Sequence, residues 1–412
     1  MRRSPLLPIF LVVLVDILGF TIVYPLLPFY AERFHATPFV ATTLVSVYAL
    51  CALFSTPIIG RLSDQFGRRR LLLLSQAGTC AGFLVIGFSQ SLWMVFLGRV
   101  LDGITAGNLS IAQAYISDHT KPENRAKAFG IIGVAFGIGF TFGPAMAGWL
   151  SVYGEHVPFL VAACLSAGSM VCSYTLLEAG APGVASAGAE TPGEPAAPAG
   201  APGGKRPAVF DLKVYFEFFG RAGLGSLYLQ FFAFAFSFSA FMSGFALFAE
   251  RRFTVDGRAW NAHEVGLLFA YSGLLGIVLQ GGILGRLVKK LGEVKLALAG
   301  FVAAAIAYVT LGLIVSLGAL LVVTAIAAFG NGVLRPVITS QLTQRVGRQE
   351  QGVAIGISGS LNSLAMTVAP PIGGALISNG WLLAWALVPA TAAVVGLVAA
   401  LIDRAKAARG AT

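Results

Sequence analysis

Long runs of apolar residues separated by short polar punctuation dominate this chain. Runs long enough to cross a bilayer, about 20 residues at 1.5 Å of rise each, occupy about 6–30, 40–62, 71–89, 92–117, 127–150 and 157–177, then resume at about 224–249, 264–287, 294–314, 318–342, 353–377 and 381–402. The pattern predicts an all-α membrane protein of twelve transmembrane helices, arranged as two pseudo-symmetric six-helix bundles around a central cavity. The first run follows Arg2 and Arg3 but is too long for a secretory signal and lacks an Ala-x-Ala exit, so it reads as a retained helix. The break over 179–204 is almost wholly Ala, Gly and Pro, which bury no core and predict a disordered tether. Charged and aromatic residues from Lys205 to Arg221 then predict an amphipathic segment along the membrane surface. The expected organisation is a bundle over 1–178, a linker over 179–223 and a second bundle over 224–412.

Composition agrees with the pattern. Of 412 residues 57% are hydrophobic before the 50 glycines are counted, and only 11% are charged. With Gly the apolar share is about two-thirds, against roughly 45–50% in a soluble domain. Cys51, Cys80, Cys164 and Cys172 lie inside apolar runs and read as small packing residues. The net charge of +10 reports topology here, not nucleic-acid binding. Arg61, Arg68, Arg69, Arg70, Lys121, Arg125, Lys127, Lys289, Lys290, Arg345 and Arg348 gather in the loops on one side with both termini, while the other side holds Arg33, Arg251, Arg252 and Arg258. By the positive-inside rule both ends are expected in the cytoplasm, in the cytoplasmic (inner) membrane.

Two local patterns recur half a chain apart at nearly the same separation. Gly60-Arg61-Leu62 with Gly67 returns as Gly285-Arg286-Leu287 with Gly292, and Gly143-Pro144 with Ala147-Gly148 returns as Ala369-Pro370 with Gly373-Gly374. Repeated halves are a hallmark of secondary transporters, whose substrate site lies near the midplane between the repeats.

The residues then carry a resemblance. Gly60-Arg-Leu-Ser-Asp64-Gln-Phe-Gly67-Arg68-Arg69-Arg70 resembles the signature loop of the major facilitator superfamily. Arg99-Val-Leu-Asp102-Gly103 is similar to its span-four motif, and Gly139-x-x-x-Gly143-Pro144-x-x-x-Gly148 to its antiporter motif. Asp16-x-x-Gly19, with Pro25 and Pro28, resembles the drug/proton antiporter branch, nearest the tetracycline exporters. The resemblance implies a proton-coupled exporter of a small amphipathic or lipophilic molecule, multidrug or tetracycline-like efflux by alternating access, with a proton-coupled importer of a small metabolite or sugar as the alternative. It departs from the tetracycline exporters at Gly82, Gly276 and Ala304, where they carry Asp, His and Asp, so tetracycline itself is not the expected substrate.

Each motif also has its own physics. Asp64 and Arg68 are one helical turn apart, and Asp118 closes span four on the same membrane face, within reach of Arg68. Gly60, Asp64, Gly67, Arg68 and Asp118 therefore form a candidate latch; the resemblance implies that its partner is span eleven, beginning near Gly352. Lys289 stands where the second copy would need an acid, so the latch is expected in one half only. Gly139, Gly143, Pro144 and Gly148 read as close helix packing with a bend.

An ionisable residue at the bilayer centre costs at least ~2.5–3.5 kcal/mol on insertion scales, so those that remain mark function. Asp16 lies ~15 Å into span one, near the midplane, without a partner in its own helix. Arg99 and Asp102, three residues apart, share a helix face, as a structural ion pair or as a relay. The expected coupling set is Asp16 as proton carrier with Arg99 and Asp102 biasing it. Arg335 in span ten binds an anionic or polar part of a substrate, balances Asp16, or snorkels to the interface. Phe234, Phe238 and Phe241 in span seven line a cavity wall or face lipid. Asn108, Gln113, Gln230, Gln280, Asn331 and Asn362 are candidates for substrate hydrogen bonds or helix-joining contacts. The histidines are scattered at loops and helix ends, and no hydrolase or nucleotide motif appears, so no catalytic residue, cofactor or metal site is expected. Expected partners are a small-molecule substrate, protons and membrane lipid, with no nucleic acid and a monomeric state.

Overall fold

A computed structural model describes residues 6–120, 122–177, 217–221, 223–347 and 350–409. In lipid every backbone polar group must be satisfied within the segment, so the apolar runs fold as helices. They are α1 (Leu6–Glu32), α2 (Pro38–Phe66), α3 (Arg68–Gly87), α4 (Leu92–Ile104), α5 (Asn108–His119), α6 (Pro122–Ser151) and α7 (Val157–Leu176) in the first half. The second half holds α8 (Leu224–Arg252), α9 (Ala262–Val278), α10 (Leu284–Leu291), α11 (Glu293–Leu313), α12 (Leu317–Gln344), α13 (Gln351–Ser378) and α14 (Leu382–Arg409). Among the described residues, eleven stretches are long and apolar enough to cross a membrane. The remaining crossing is shared by α4 and α5, and a π-bulge over Leu279–Ile283 joins α9 to α10 within one span.

Three findings differ from the sequence expectation. Span four, expected as one helix over 92–117, is broken between α4 and α5. The loop between spans seven and eight forms a two-stranded hairpin, β1 (Thr254–Val255) with β2 (Arg258–Ala259). Asp256 and Gly257 both have positive φ, the turn that such a short hairpin requires. Finally, the described end of the predicted surface segment packs inward: Phe218 is buried, and Arg221 lies over its ring and pairs with Glu350 at 2.9 Å. The tether over 179–204 lies outside the described residues.

The face on which α1 begins and α14 ends is called here the terminal face. Pseudo-symmetry is plain at that face. Gly67 and Gly292 close the two matching turns with φ of 95° and 77°, a conformation that favours glycine. The halves meet along α2 with α13, α6 with α9 and α1 with α8. Their contacts concentrate toward the opposite face. Phe39 N–H donates to Ser378 Oγ at 3.0 Å, Ser46 Oγ donates to Met366 O, and Arg251 pairs with Glu32 at 2.6 Å. Gly148 and Gly266 cross so closely that a Cβ on Gly148 would stand 2.7 Å from the Gly266 Cα.

Toward the terminal face the halves part. On α2, Thr42 and Ser46 touch α13. Gly352, Gly356 and Gly359 continue the matching face of α13 and have open space where a Cβ would stand. The structure is a cleft open to the terminal face and closed at the other.

Candidate functional site

The break in span four is built by three neighbouring hydroxyls. Ser55 Oγ donates to Gly103 O at 2.6 Å, Thr56 Oγ1 to Ala106 O at 2.8 Å, and Ser75 Oγ to Thr105 O. Ser75 Oγ also accepts from the Gly107 N–H at 3.0 Å. Irregular backbone at membrane depth survives only where such partners satisfy it, and here they come from α2 and α3. The break makes Asn108 the first residue of α5 and aims its side chain at α1.

There Asn108 Nδ2 donates to Asp16 Oδ1. The acid without a partner in its own helix therefore has one from a broken neighbour. The Asn108 carbonyl oxygen is buried without a partner. On α4, Arg99 and Asp102 pair at 2.9 Å, 2% and 5% exposed. The Arg99 guanidinium lies 4.4 Å from the centre of the Tyr48 ring. Asp102 is within electrostatic reach of Asp16, so the three coupling candidates form one polar cluster in the first half.

A second cluster lies at mid-depth between the halves. Arg335 of α12 stands 4.4 Å over the ring of Phe136 on α6. This placement sets the guanidinium between the two halves. Phe136 stacks on Phe140, Phe140 meets Phe238 edge-on at 5.8 Å, and Phe238 stacks on Phe234. The span-seven aromatics therefore do not face lipid: Phe234 is buried, and Phe238 and Phe241 are half-buried within the protein. Gln280, carried by the π-bulge, faces Gly137 of α6.

The remaining polar candidates are dispersed. Asn331 hydrogen-bonds Tyr308 at 3.0 Å, Gln230 is buried beside Ser226, Asn362 reaches the Met366 sulfur, and Gln113 is half-buried on α5. Asn331 and Gln230 join groups within their own half and do not enter either cluster.

The latch residues assemble within one half. Arg68 bonds Asp64 at 2.5 Å and Asp118 at 2.9 Å, and donates to Ser63. Among the described residues Asp64 pairs with Arg68 and with no residue of span eleven. In the second half Glu293 occupies the place of Arg68 and accepts from Ser340 at 2.6 Å and from Gln344. An ionic triad in one half thus faces a mainly neutral network in the other. The antiporter motif has two faces. Gly139 and Gly143 lie against Ile17 and Thr21 of α1, and Thr21 donates to Gly139 O at 2.9 Å. Gly148, with Thr141 donating to Gly273 O at 3.0 Å, lies against α9 of the other half.

Sequence reasoning missed Tyr48, Phe136 and the hydroxyls at the break. The adjacent Ser55-Thr56 inside an apolar run was the available signal.

Comparison with known proteins follows the same lines. The sequence profile described as Major Facilitator Superfamily matches residues 9–257 and again 227–411. The tetracycline resistance protein, class B, of Escherichia coli is 31% identical over 381 residues, covering 91% of this chain and 88% of that protein. Multidrug resistance protein 2 of Bacillus subtilis (strain 168) is 26% identical over 374 residues, covering 88% and 86%. Among solved structures, the human organic anion transporter MFSD10 (TETRAN) matches with a TM-score of 0.71 at 23% identity, covering 97% of this chain and 99% of that one. A peptide transporter, POT, in complex with sulfate gives 0.74 at 17% identity, covering 98% and 94%. These two likenesses show the fold.

Proposed function

Because this chain belongs to the major facilitator superfamily, we propose that it exports small amphipathic or lipophilic molecules, of the drug class, in exchange for protons. The observation that carries this reading is the Asp16–Asn108 contact at the break in span four, beside the buried Arg99–Asp102 pair. Relatives named for tetracycline and multidrug resistance support export. The basic residues gathered in loops on the terminal face support cytoplasmic termini in the cytoplasmic membrane. The protein works as a monomer in lipid, without cofactor and without altering its substrate chemically.

In this state the cleft takes substrate from the cytoplasmic side. Asp16 is ionised when it gives up its proton and neutral when it takes one from outside. A charged carboxylate is costly away from water, so its proton biases which face of the cleft is open. Arg99 is paired with Asp102 beside Asp16, and this pair contributes to the field that Asp16 experiences. The Gly148–Gly266 and Arg251–Glu32 contacts close the outer face, and the Asp64, Arg68 and Asp118 triad is poised to meet α13 when the cytoplasmic face closes.

Proteoliposomes with an imposed pH gradient test this. The wild type is expected to move a lipophilic dye uphill and Asp16→Asn only downhill. Uphill movement by Asp16→Asn at the wild-type rate would remove Asp16 as the coupling group.

A further inference from the structure

Arg335 is the charge that the coupling mechanism leaves unused. It sits about ten residues from the end of α12, and an arginine at that depth is retained at a cost. Among the described residues its guanidinium lies against the Phe136 ring and no carboxylate pairs with it. A guanidinium offers five donors in a planar fork suited to an ionised oxygen acid. A ring face satisfies none of them.

Its surroundings describe the rest of a ligand. Phe136, Phe140, Phe238 and Phe234 form a continuous aromatic surface that starts under the guanidinium and crosses from one half to the other. Asp16 is on the opposite half and already engaged by Asn108. The two charges of the cleft therefore serve different partners, a proton on Asp16 and a substrate group on Arg335.

We propose that Arg335 is a specificity residue for an acidic group: the preferred substrates are aromatic amphiphiles bearing a carboxylate or equivalent ionised oxygen, bound on the guanidinium with their rings on the phenylalanine surface. This rests on the reading of the chain as an exporter and names the class of compound exported. Because the anion is held by one half and the rings by both, binding also draws the halves together as the cleft closes.

The test uses a rhodamine dye with a free carboxylate and the methyl ester of the same dye, which differ at one group. Binding to the purified full chain in lipid nanodiscs is followed by fluorescence anisotropy, and export by everted vesicles energised with an acid interior. The wild type is expected to bind the acid at least about tenfold more tightly than the ester, since charge-assisted hydrogen bonds outweigh neutral ones. Arg335→Gln is expected to bring that ratio to about one, and Arg335→Lys to keep part of it, which separates recognition from misfolding. An unchanged ratio in Arg335→Gln, equal loss of both dyes, or failure of the wild type to bind the acid overturns the inference. Export of both dyes at one rate by the wild type overturns it too, while leaving the exporter reading intact. Arg335-dependent binding of the acid without proton-driven export would uphold the inference and remove that reading.

Discussion

Replacing Arg99 by Met isolates the energetics of the buried pair. In the native protein the Arg99 and Asp102 side chains are nearly fully enclosed, bonded at 2.9 Å, with Tyr48 against the guanidinium. The substitution roughly keeps the volume but leaves the buried Asp102 carboxylate without its ion-pair partner. Breaking a buried pair from one side costs about 3–5 kcal/mol, because the remaining charge is uncompensated. At about 2–4 °C per kcal/mol for a unit the size of one bundle, the unfolding midpoint should fall by roughly 6–20 °C. The double variant Arg99→Met/Asp102→Leu removes both charges and should recover most of that loss. Differential scanning fluorimetry of purified protein gives both midpoints, and dye export in vesicles gives coupling. The double variant is expected to be stable yet deficient in proton-driven export, since the field at Asp16 has changed. A single variant within about 1 °C of wild type would refute the energetic argument. A double variant both stable and fully coupled would show the pair to be only structural.

Other outcomes follow from the contacts between and within the halves. Gly266→Leu places a side chain where even a Cβ meets the Gly148 Cα at 2.4 Å, so the outer face cannot close. A cysteine placed at Ser378 should then label from outside at the full rate without substrate, and export should fall more than about tenfold. Glu32→Gln removes the Arg251–Glu32 bridge, a partly exposed pair worth under about 1 kcal/mol. The same labelling should rise a few-fold with export largely kept; no change would show the bridge to be inert. Asp64→Asn should leave binding in the cytoplasm-open state unchanged while slowing turnover, because its partner helix α13 is engaged only in the other state. Equal loss of binding and turnover in that variant, measured by anisotropy and vesicle export, would place Asp64 in the substrate site.

Span number and the two halves were legible because hydrocarbon admits few solutions, and helices of twenty apolar residues are the commonest. Asp16 was legible for the same reason: an unpaired acid in such a run has no structural excuse. Asn108 was visible only as a polar residue, since its contact with Asp16 depends on the break in span four. That break was hidden, because Gly103-Ile-Thr-Ala-Gly107 reads as apolar helix until Ser55, Thr56 and Ser75 arrive from other spans. The span-seven phenylalanines have one spacing whether they face lipid or protein, so only the placement of α8 against α1, α13 and α14 decided between them. The latch charges were legible by spacing alone, and Arg68 does bond Asp118, whereas a contact between spans two and eleven depends on how the halves sit and has no signal in the local sequence. The hairpin was announced by Asp256-Gly257 in the loop between spans seven and eight, a turn signal that the apolar-run pattern does not register.

Proton release on substrate binding is the direct measurement. Purified protein in weakly buffered detergent, mixed with a saturating lipophilic dye, should release on the order of one proton per molecule bound, and Asp16→Asn none while still binding the dye. Release from Asp16→Asn equal to that of the wild type would contradict the assignment of the transported proton to Asp16.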